Sequence, residues 1–560
     1  VRRPLAILLA SACGDGPNHG DAADGTDPGT LPTCTNTGVY VDVGDEVVCA
    51  DPSARDAARF ERTYKAEQPL LAEAMLTSAG IVVADFTGDG LLDTFLPHVV
   101  RPEFWVGKPG GAPPVEEAAT RLTGIDFTAS VGGTAVDVEG DGDFDLLVTR
   151  FQEPVLLLRN DGRGQFADVT ALAGLDTYAW RSQSSSWADL DRDGDLDLFV
   201  GSYGQTPELA FDSPDLPPSE DPSQLWLNNG DGTFTDVSSW LPPEVQEGWT
   251  FMSSWIDLDV DGYPELFTWH DFGTSHPSMI LKNQGGTALV PVLNATQIDL
   301  PFEDMGVAFT DLNHDDLPDF ATTSFEKTRL LMSEPTTSNP AGTFWVESSA
   351  SRGFDVDLIN RQQAYGWGAE FGDLDHDRDD DLVMVFGYWS TYTGNRDPLD
   401  QFDGVWIQDE HGYLENLAGD PAWGMNDDGI KRGLVLADLN DDGFLDVVKR
   451  HLGSAVVGPG AIRYISRCDD TAWLHVELRQ GDANRYAVGA RVTAISPDGF
   501  EQTHWVHAGS ASMYSGGPPV AHFGLATDAT ARVRVTWPDG EVTEVCDVPT
   551  RRTVTIHRGG

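Results

Sequence analysis

DLDRDGDLD, residues 189–197, stands between the strand-forming segments SSSWA (184–188) and LFVGSYG (198–204). An acidic turn flanked by two short runs of strand formers reads as a β-hairpin whose turn gathers carboxylates. The layout recurs in DFTGDGLLD (85–93), DVEGDGDFD (137–145), DLDVDGYPE (257–265), DLNHDDLPD (311–319), DLDHDRDDD (373–381) and DLNDDGFLD (438–446). Successive starts are 52, 52, 68, 54, 62 and 65 residues apart. Those periods are too long and uneven for β-solenoid turns and suit a repeated supersecondary unit.

A second hairpin fills the gaps. LLLRNDGRGQFADVT (156–170), LWLNNGDGTFTDVS (225–238) and VWIQDEHGYLENLA (405–418) each run an apolar strand into a tight turn. The outgoing strand carries one aromatic, Phe166, Phe234 or Tyr413. Asn-Gly and Asp-Gly supply the left-handed conformations of a type I′ turn. Two hairpins make four strands, and wedge-shaped sheets of four strands protect both faces when arranged radially. Seven units therefore predict an all-β chain with a seven-bladed β-propeller, spanning 34–465 with its N-terminal extension. Only a short stretch separates Asp446 from Cys468, so the seventh blade is expected to borrow an N-terminal strand, GVYVDVG (38–44). One or two helices are expected between 52 and 75. Beyond 465 the acidic turns stop. TAWLHVELRQ (471–480), GARVTAISPDG (489–499), TARVRVTWPDG (530–540) and RRTVTIHRG (551–559) alternate with period two, which predicts a small β-domain over 466–560.

The acidic turns carry the chemistry. Their positions 1, 3, 5 and 9 are Asp85, Thr87, Asp89 and Asp93; Asp137, Glu139, Asp141 and Asp145; Asp189, Asp191, Asp193 and Asp197; Asp257, Asp259, Asp261 and Glu265; Asp311, Asn313, Asp315 and Asp319; Asp373, Asp375, Asp377 and Asp381; and Asp438, Asn440, Asp442 and Asp446. Alternate oxygen donors on a tight turn can converge on one point, and a small residue at position 6 lets the backbone fold around it. Carboxylates crowded this way are costly without a cation among them. All-oxygen donors on a flexible turn favour Ca²⁺, since Mg²⁺ wants stricter geometry and Zn²⁺ wants His or Cys. Up to seven Ca²⁺ are expected, one per blade.

Acidic residues number 90 against 35 basic ones, a formal charge of −55. Such a field repels nucleic acid and anionic lipid and leaves cations as natural partners. The start of the chain, with Arg2-Arg3, an apolar stretch and small residues before Cys13, reads as a lipoprotein signal over 1–13. Residues 14–33 read as a flexible tether. Export to the bacterial outer membrane or cell surface, or secretion, follows. The remaining cysteines are expected to pair as Cys34–Cys49 and Cys468–Cys546.

Hydrolase, metalloprotease, P-loop and dinucleotide motifs are absent, so no catalytic residue is assigned. Trp367, Trp389, Trp406 and Trp423 suit either a carbohydrate-binding mouth or packing between blades. Two functions remain open. One is a binding or adhesion module for an extracellular protein or glycan; the other is an extracellular lyase or hydrolase using the central face of the propeller.

The turns with their flanking strands resemble the FG-GAP or VCBS repeats of integrin-α-like propellers. The tail resembles the ASPIC/UnbV domain through WLHVELRQGDANRYAVGARV (473–492), HAGSASMYSG (507–516), HFGLA (522–526) and VRVTWPDGEV (533–542). This resemblance implies a secreted or surface Ca²⁺-binding propeller with an extra β-domain and no established reaction. Asn484-Arg485 is expected to present donors to a carboxylate, and His507 and His522 to be structural.

Overall fold

Apolar residues on either side of each acidic turn pair as antiparallel strands, and four strands form each sheet, with Ala508–Gly509 of the tail adding a fifth beside Ser182–Ala188. The structure, a computed structural model, describes residues 34, 40–49, 60–65, 79–98, 101–204, 221–271, 273, 276–292, 298, 303–324, 328–339, 341–354, 365–387, 401, 403–417, 423–425, 429–453, 460–509, 512 and 514–558. The signal-like segment 1–13 and the tether 14–33 lie outside them.

Among the described residues, seven four-stranded units follow one plan, with innermost strands Val82–Ala84, Ser130–Val136, Ser182–Ala188, Thr250–Ile256, Asp304–Thr310, Gly366–Gly372 and Ile430–Ala437. We number them blades 1 to 7. Each innermost strand contacts the next, and that of blade 7 contacts that of blade 1, so the ring closes. The apolar faces meet between blades. Phe86, Phe104, Leu146 and Phe166 fill the gap from blade 1 to blade 2, and Leu330, Leu382 and Trp406 that from blade 5 to blade 6. Trp367 and Trp406 are buried in this packing rather than lining a mouth.

Closure borrows an N-terminal strand as expected, but not from GVYVDVG (38–44). Blade 7 takes its outer strand from Phe60–Lys65, which pairs antiparallel with Gly460–Ser466. That segment is a strand where a helix was expected, because an open sheet edge offers hydrogen bonds and burial that outweigh local propensity. Tyr40–Val43 instead joins the tail, pairing with Arg552–His557. The cysteines follow this path. Cys34 bonds Cys546 and Cys49 bonds Cys468, so both expected pairings are wrong. Each bridge ties the N-terminal extension to the tail domain or its first residues instead of closing a local loop.

The tail is a sandwich of two four-stranded sheets around Leu474, Val476, Val492, Phe523, Val533 and Val554. It also threads the ring. Gly516 donates to Ile81 O and accepts from Val83 N, both at 2.9 Å, and Tyr514 is buried among the innermost strands. Five residues before each turn the innermost strands place Gly80, Gly132, Ser184, Met252, Gly306, Gly368 and Gly433. A Cβ on Gly132 would stand 2.8 Å from Tyr514 Cβ, and one on Gly368 would stand 2.6 Å from Ser512 Oγ. Those glycines leave the room that the tail segment fills.

Candidate metal turns and the docked tail

Every acidic turn joins the innermost strand of its blade to the second strand, and its carboxylates fold the backbone around themselves. In blade 3, Asp189 Oδ1 accepts the amide of Asp193 (3.1 Å) and its Oδ2 that of Gly194 (3.2 Å). Asp193 Oδ1 accepts the amide of Asp195 at 3.2 Å. Asp197 bridges outward, its Oδ2 accepting Leu190 N (2.8 Å) and its Oδ1 Asn228 N (2.9 Å) from the third strand. Position 1 repeats this grip on the amides of positions 5 and 6 at Asp85, Asp137, Asp257, Asp311, Asp373 and Asp438. Position 9 repeats its grip on the amide of position 2 at Asp93, Asp145, Glu265, Asp319, Asp381 and Asp446. At position 5, Asp89, Asp141, Asp261, Asp315, Asp377 and Asp442 each accept the amide two residues on.

Position 4 escaped the sequence reading. Its φ is positive in all seven turns, at Gly88, Gly140, Arg192, Val260, His314, His376 and Asp441. Left-handed backbone is costly for non-glycine residues, most of all for β-branched Val260. The repeated turn holds it in place.

The structure brings oxygens of positions 1, 3 and 9 within 4.8 Å of one another in blades 3, 4 and 6, at Asp189, Asp191 and Asp197, at Asp257, Asp259 and Glu265, and at Asp373, Asp375 and Asp381. In blades 5 and 7 the position 3 amide turns its nitrogen to position 5, Asn313 to Asp315 (3.1 Å) and Asn440 to Asp442 (3.0 Å). Asp191 Oδ1, Asn313 Oδ1 and Asn440 Oδ1 are buried and accept no hydrogen bond. A buried oxygen of this kind calls for a donor or a cation, so these turns fit a hard metal ion. Blade 1 has the hydroxyl of Thr87 at this position. In blade 2, Glu139 Oε1 meets the Arg159 guanidinium instead.

Burial raises the carboxyls that the turns enclose. It pushes Asp197 up to about 9, Asp319 and Asp189 to about 7, and Asp93 to about 6, against hydrogen bonds from backbone amides that pull the other way. Asp373, Asp381, Asp438 and Asp446 are raised well above the usual carboxylate range, again by burial first and then by neighbouring carboxylates. A cation or a proton relieves that cost.

The tail sits on the turn face and reads the carbonyls of position 6. Tyr486 Oη donates to Gly142 O and Asn484 N to Gly194 O, both at 2.7 Å. Arg491 Nη1 reaches Asp316 O at 3.3 Å, and His522 Nε2 lies 2.9 Å from Gly443 O. Tyr486 also stacks on Phe144, with ring centroids 4.4 Å apart. The side chain of Asn484 closes its own turn by bonding both the amide and the carbonyl of Val488 at 2.8 Å, while Arg485 lies against Gly142. Between blades 5 and 6 and the tail, a cavity of about 130 Å³ is lined by Glu370, His504, His507 and His522. Burial lifts Glu370 to about 8. That cavity is below the roughly 300 Å³ at which small-molecule pockets begin. No helix among the described residues is long and apolar enough to cross a membrane. The two disulfides point to an oxidising, extracytoplasmic setting.

Comparison with known proteins agrees with this architecture. Residues 137–200 and 216–268 match the FG-GAP-like repeat, and residues 480–560 match the ASPIC and UnbV domain. The chain is homologous to cartilage acidic protein 1, being 23% identical to the Homo sapiens protein over 427 residues, 74% of this chain and 60% of that one. The Xenopus tropicalis protein is 24% identical over 276 residues, 48% of this chain and 38% of the relative. The chain thus spans about 60% of the human protein's length. Among solved structures, an Agrocybe aegerita lectin specific for non-reducing terminal N-acetylglucosamine aligns with TM-score 0.39 at 14% identity, covering 70% of this chain and 94% of its own. The exotype rhamnogalacturonan lyase YesX aligns with TM-score 0.34 at 14% identity, covering 76% and 72%.

Proposed function

From a chain that carries FG-GAP-like repeats and an ASPIC and UnbV domain, we propose a secreted or cell-surface calcium-binding β-propeller that acts as a binding or adhesion module for an extracellular protein or glycan. The observation that carries this reading is the repeated turn, whose enclosed carboxylates and unsatisfied position 3 oxygens suit Ca²⁺. Ca²⁺ would be held by positions 1, 3, 5 and 9 and would neutralise the turns on which the tail rests. It is structural first, and the rigid ring it secures presents the ligand surface. Cys13, as a lipidated first residue, would tether the module to the outer membrane. The enzymatic alternative has less support, because Tyr514 and its neighbours fill the middle of the ring. The test is a glycan and protein array probed with the full chain in Ca²⁺ and in EGTA, beside a count of bound calcium. Calcium-dependent capture is expected. A chain that binds no calcium, or that captures the same targets equally in EGTA, overturns the reading.

A further inference from the structure

Blade 4 alone sets an ammonium in the middle of its acidic turn. Lys282 lies near the end of the third strand, Met279–Asn283. Its Nζ stands 2.5 Å from Asp259 Oδ2, 3.2 Å from Asp261 Oδ2 and 3.2 Å from Glu265 Oε1. Those are positions 3, 5 and 9 of the turn, and Asp259 and Glu265 belong to the oxygen cluster that would otherwise close on a metal. An ammonium has three donors, and here three carboxylates take them. The ammonium and the innermost carboxylate are covered, with Glu265 fully buried and the Lys282 side chain 15% exposed, while Asp259 and Asp261 face the rim at 29% and 42%. Lys282 thus takes Asp259 Oδ2, whereas Asp191, Asn313 and Asn440 each keep a buried oxygen without a hydrogen bond at the same position.

Register explains why blade 4 is different. In six blades a third-strand residue gives its amide to position 9: Gly107, Asn160, Asn228, Ser333, Gln408 and Ser466. The residue before it occupies one matching register position in every blade. In blades 1, 3, 5, 6 and 7 that residue is Val106, Leu227, Met332, Ile407 or Ile465, none of which can neutralise a carboxylate. Blade 4 has Lys282 there. Blade 2 has Arg159, which meets Glu139 but stays 3.9 Å from Asp141 and is 55% exposed, a looser form of the same arrangement.

We infer that Lys282 is the resident cation of blade 4, and that this turn takes no calcium while Lys282 is present. A divalent ion and an ammonium cannot share one cluster of three carboxylates a few ångström wide without strong repulsion. The inference rests on the proposal that the other turns bind calcium. It makes the ring heterogeneous, with one blade secured by its own side chain whatever the calcium level.

The experiment counts tightly bound calcium per full-length chain by native mass spectrometry for wild type, Lys282→Met and Lys282→Arg. Lys282→Met is expected to bind one ion more than wild type, and Lys282→Arg the same number as wild type. In terbium-soaked wild-type crystals, anomalous density should be missing at Asp257, Asp259 and Glu265 and present at Asp189, Asp191 and Asp197. Equal, non-zero counts in wild type and Lys282→Met, or terbium at the blade 4 turn of wild type, overturn the inference and leave the calcium reading standing. No calcium in either protein overturns the calcium reading and the inference with it. If Lys282→Met does not fold, Lys282→Gln and the terbium map decide.

Discussion

The turns of blades 3 and 4 share one backbone and differ in what faces it. Asp189 and Asp257 fold their turns through the same pair of amides, at 3.1 and 3.2 Å in blade 3 and at 3.1 and 2.9 Å in blade 4. At the matching third-strand position stand Leu227 in one blade and Lys282 in the other. In the first turn Asp191 Oδ1 is buried without a hydrogen bond, and in the second Lys282 Nζ stands 2.5 Å from Asp259 Oδ2. Turn shape is thus a local property of the nine-residue motif. Demand for a cation is set by a neighbouring strand 17 or more residues later.

Metal removal should have the largest effect on that contrast. Exchanging millimolar Ca²⁺ for EGTA at constant ionic strength is expected to lower the thermal midpoint by on the order of 10 °C, since each tight site contributes about 2.7 kcal/mol at a hundredfold excess of ion. An unchanged midpoint after verified metal removal would make every turn behave like blade 4. Next comes Tyr514→Ala, which empties the middle of the ring. A loss of about 3–5 kcal/mol is expected, as for large aromatic truncations, and equally in Ca²⁺ and EGTA. A loss seen in Ca²⁺ alone would mean that ring and turns are not separable.

A finer probe is the matched pair Asp191→Ala and Asp259→Ala, followed by denaturant unfolding. Asp191→Ala should cost up to about 2.7 kcal/mol in Ca²⁺ and close to nothing in EGTA, because what it removes is a ligand. Asp259→Ala should cost about 1 kcal/mol in both, because it removes one partner of Lys282. Equal calcium sensitivity of the two would erase the distinction between the blades. The last probe is pH dependence. Asp93, Asp189, Asp197 and Asp319 have folded values of about 6, 7, 9 and 7, above their ordinary value of 3.8. Between about pH 4 and 9 the metal-free fold therefore holds protons that the unfolded chain has released, so its stability falls as pH rises through that window. Calcium displaces those protons and should flatten the fall. Thermal midpoints at pH 5 and pH 8, in EGTA and in Ca²⁺, measure the slope. A metal-free midpoint that rises with pH would contradict the enclosed carboxyls.

Legibility followed the range of the interactions. The acidic motif announces its hairpin because Asp at position 1 bonds amides four and five residues away, all inside one nine-residue window. The third-strand Asn of the second hairpin was equally visible, although not its reach: Asn160 Nδ2 bonds Phe86 O of blade 1 as well as Phe144 O of its own blade. Left-handed Val260 and His314 gave no signal, since nothing in their identity favours that conformation. The strand Phe60–Lys65 lies in a segment that suggests helix, and only the open edge of blade 7 makes it a strand.

By itself, the sequence determined the repeat, the four-stranded unit, the acidic turns and the separate tail, because each is written in residues close together along the chain. Tertiary structure alone decided the rest: Cys34 with Cys546 and Cys49 with Cys468, Tyr40–Val43 in the tail, Tyr514 inside the ring and Lys282 in its turn. Four cysteines allow three pairings, and spacing does not choose among them. Which groups meet across tens or hundreds of residues depends on how the ring closes and where the tail then seats, and closure is a property of the whole chain.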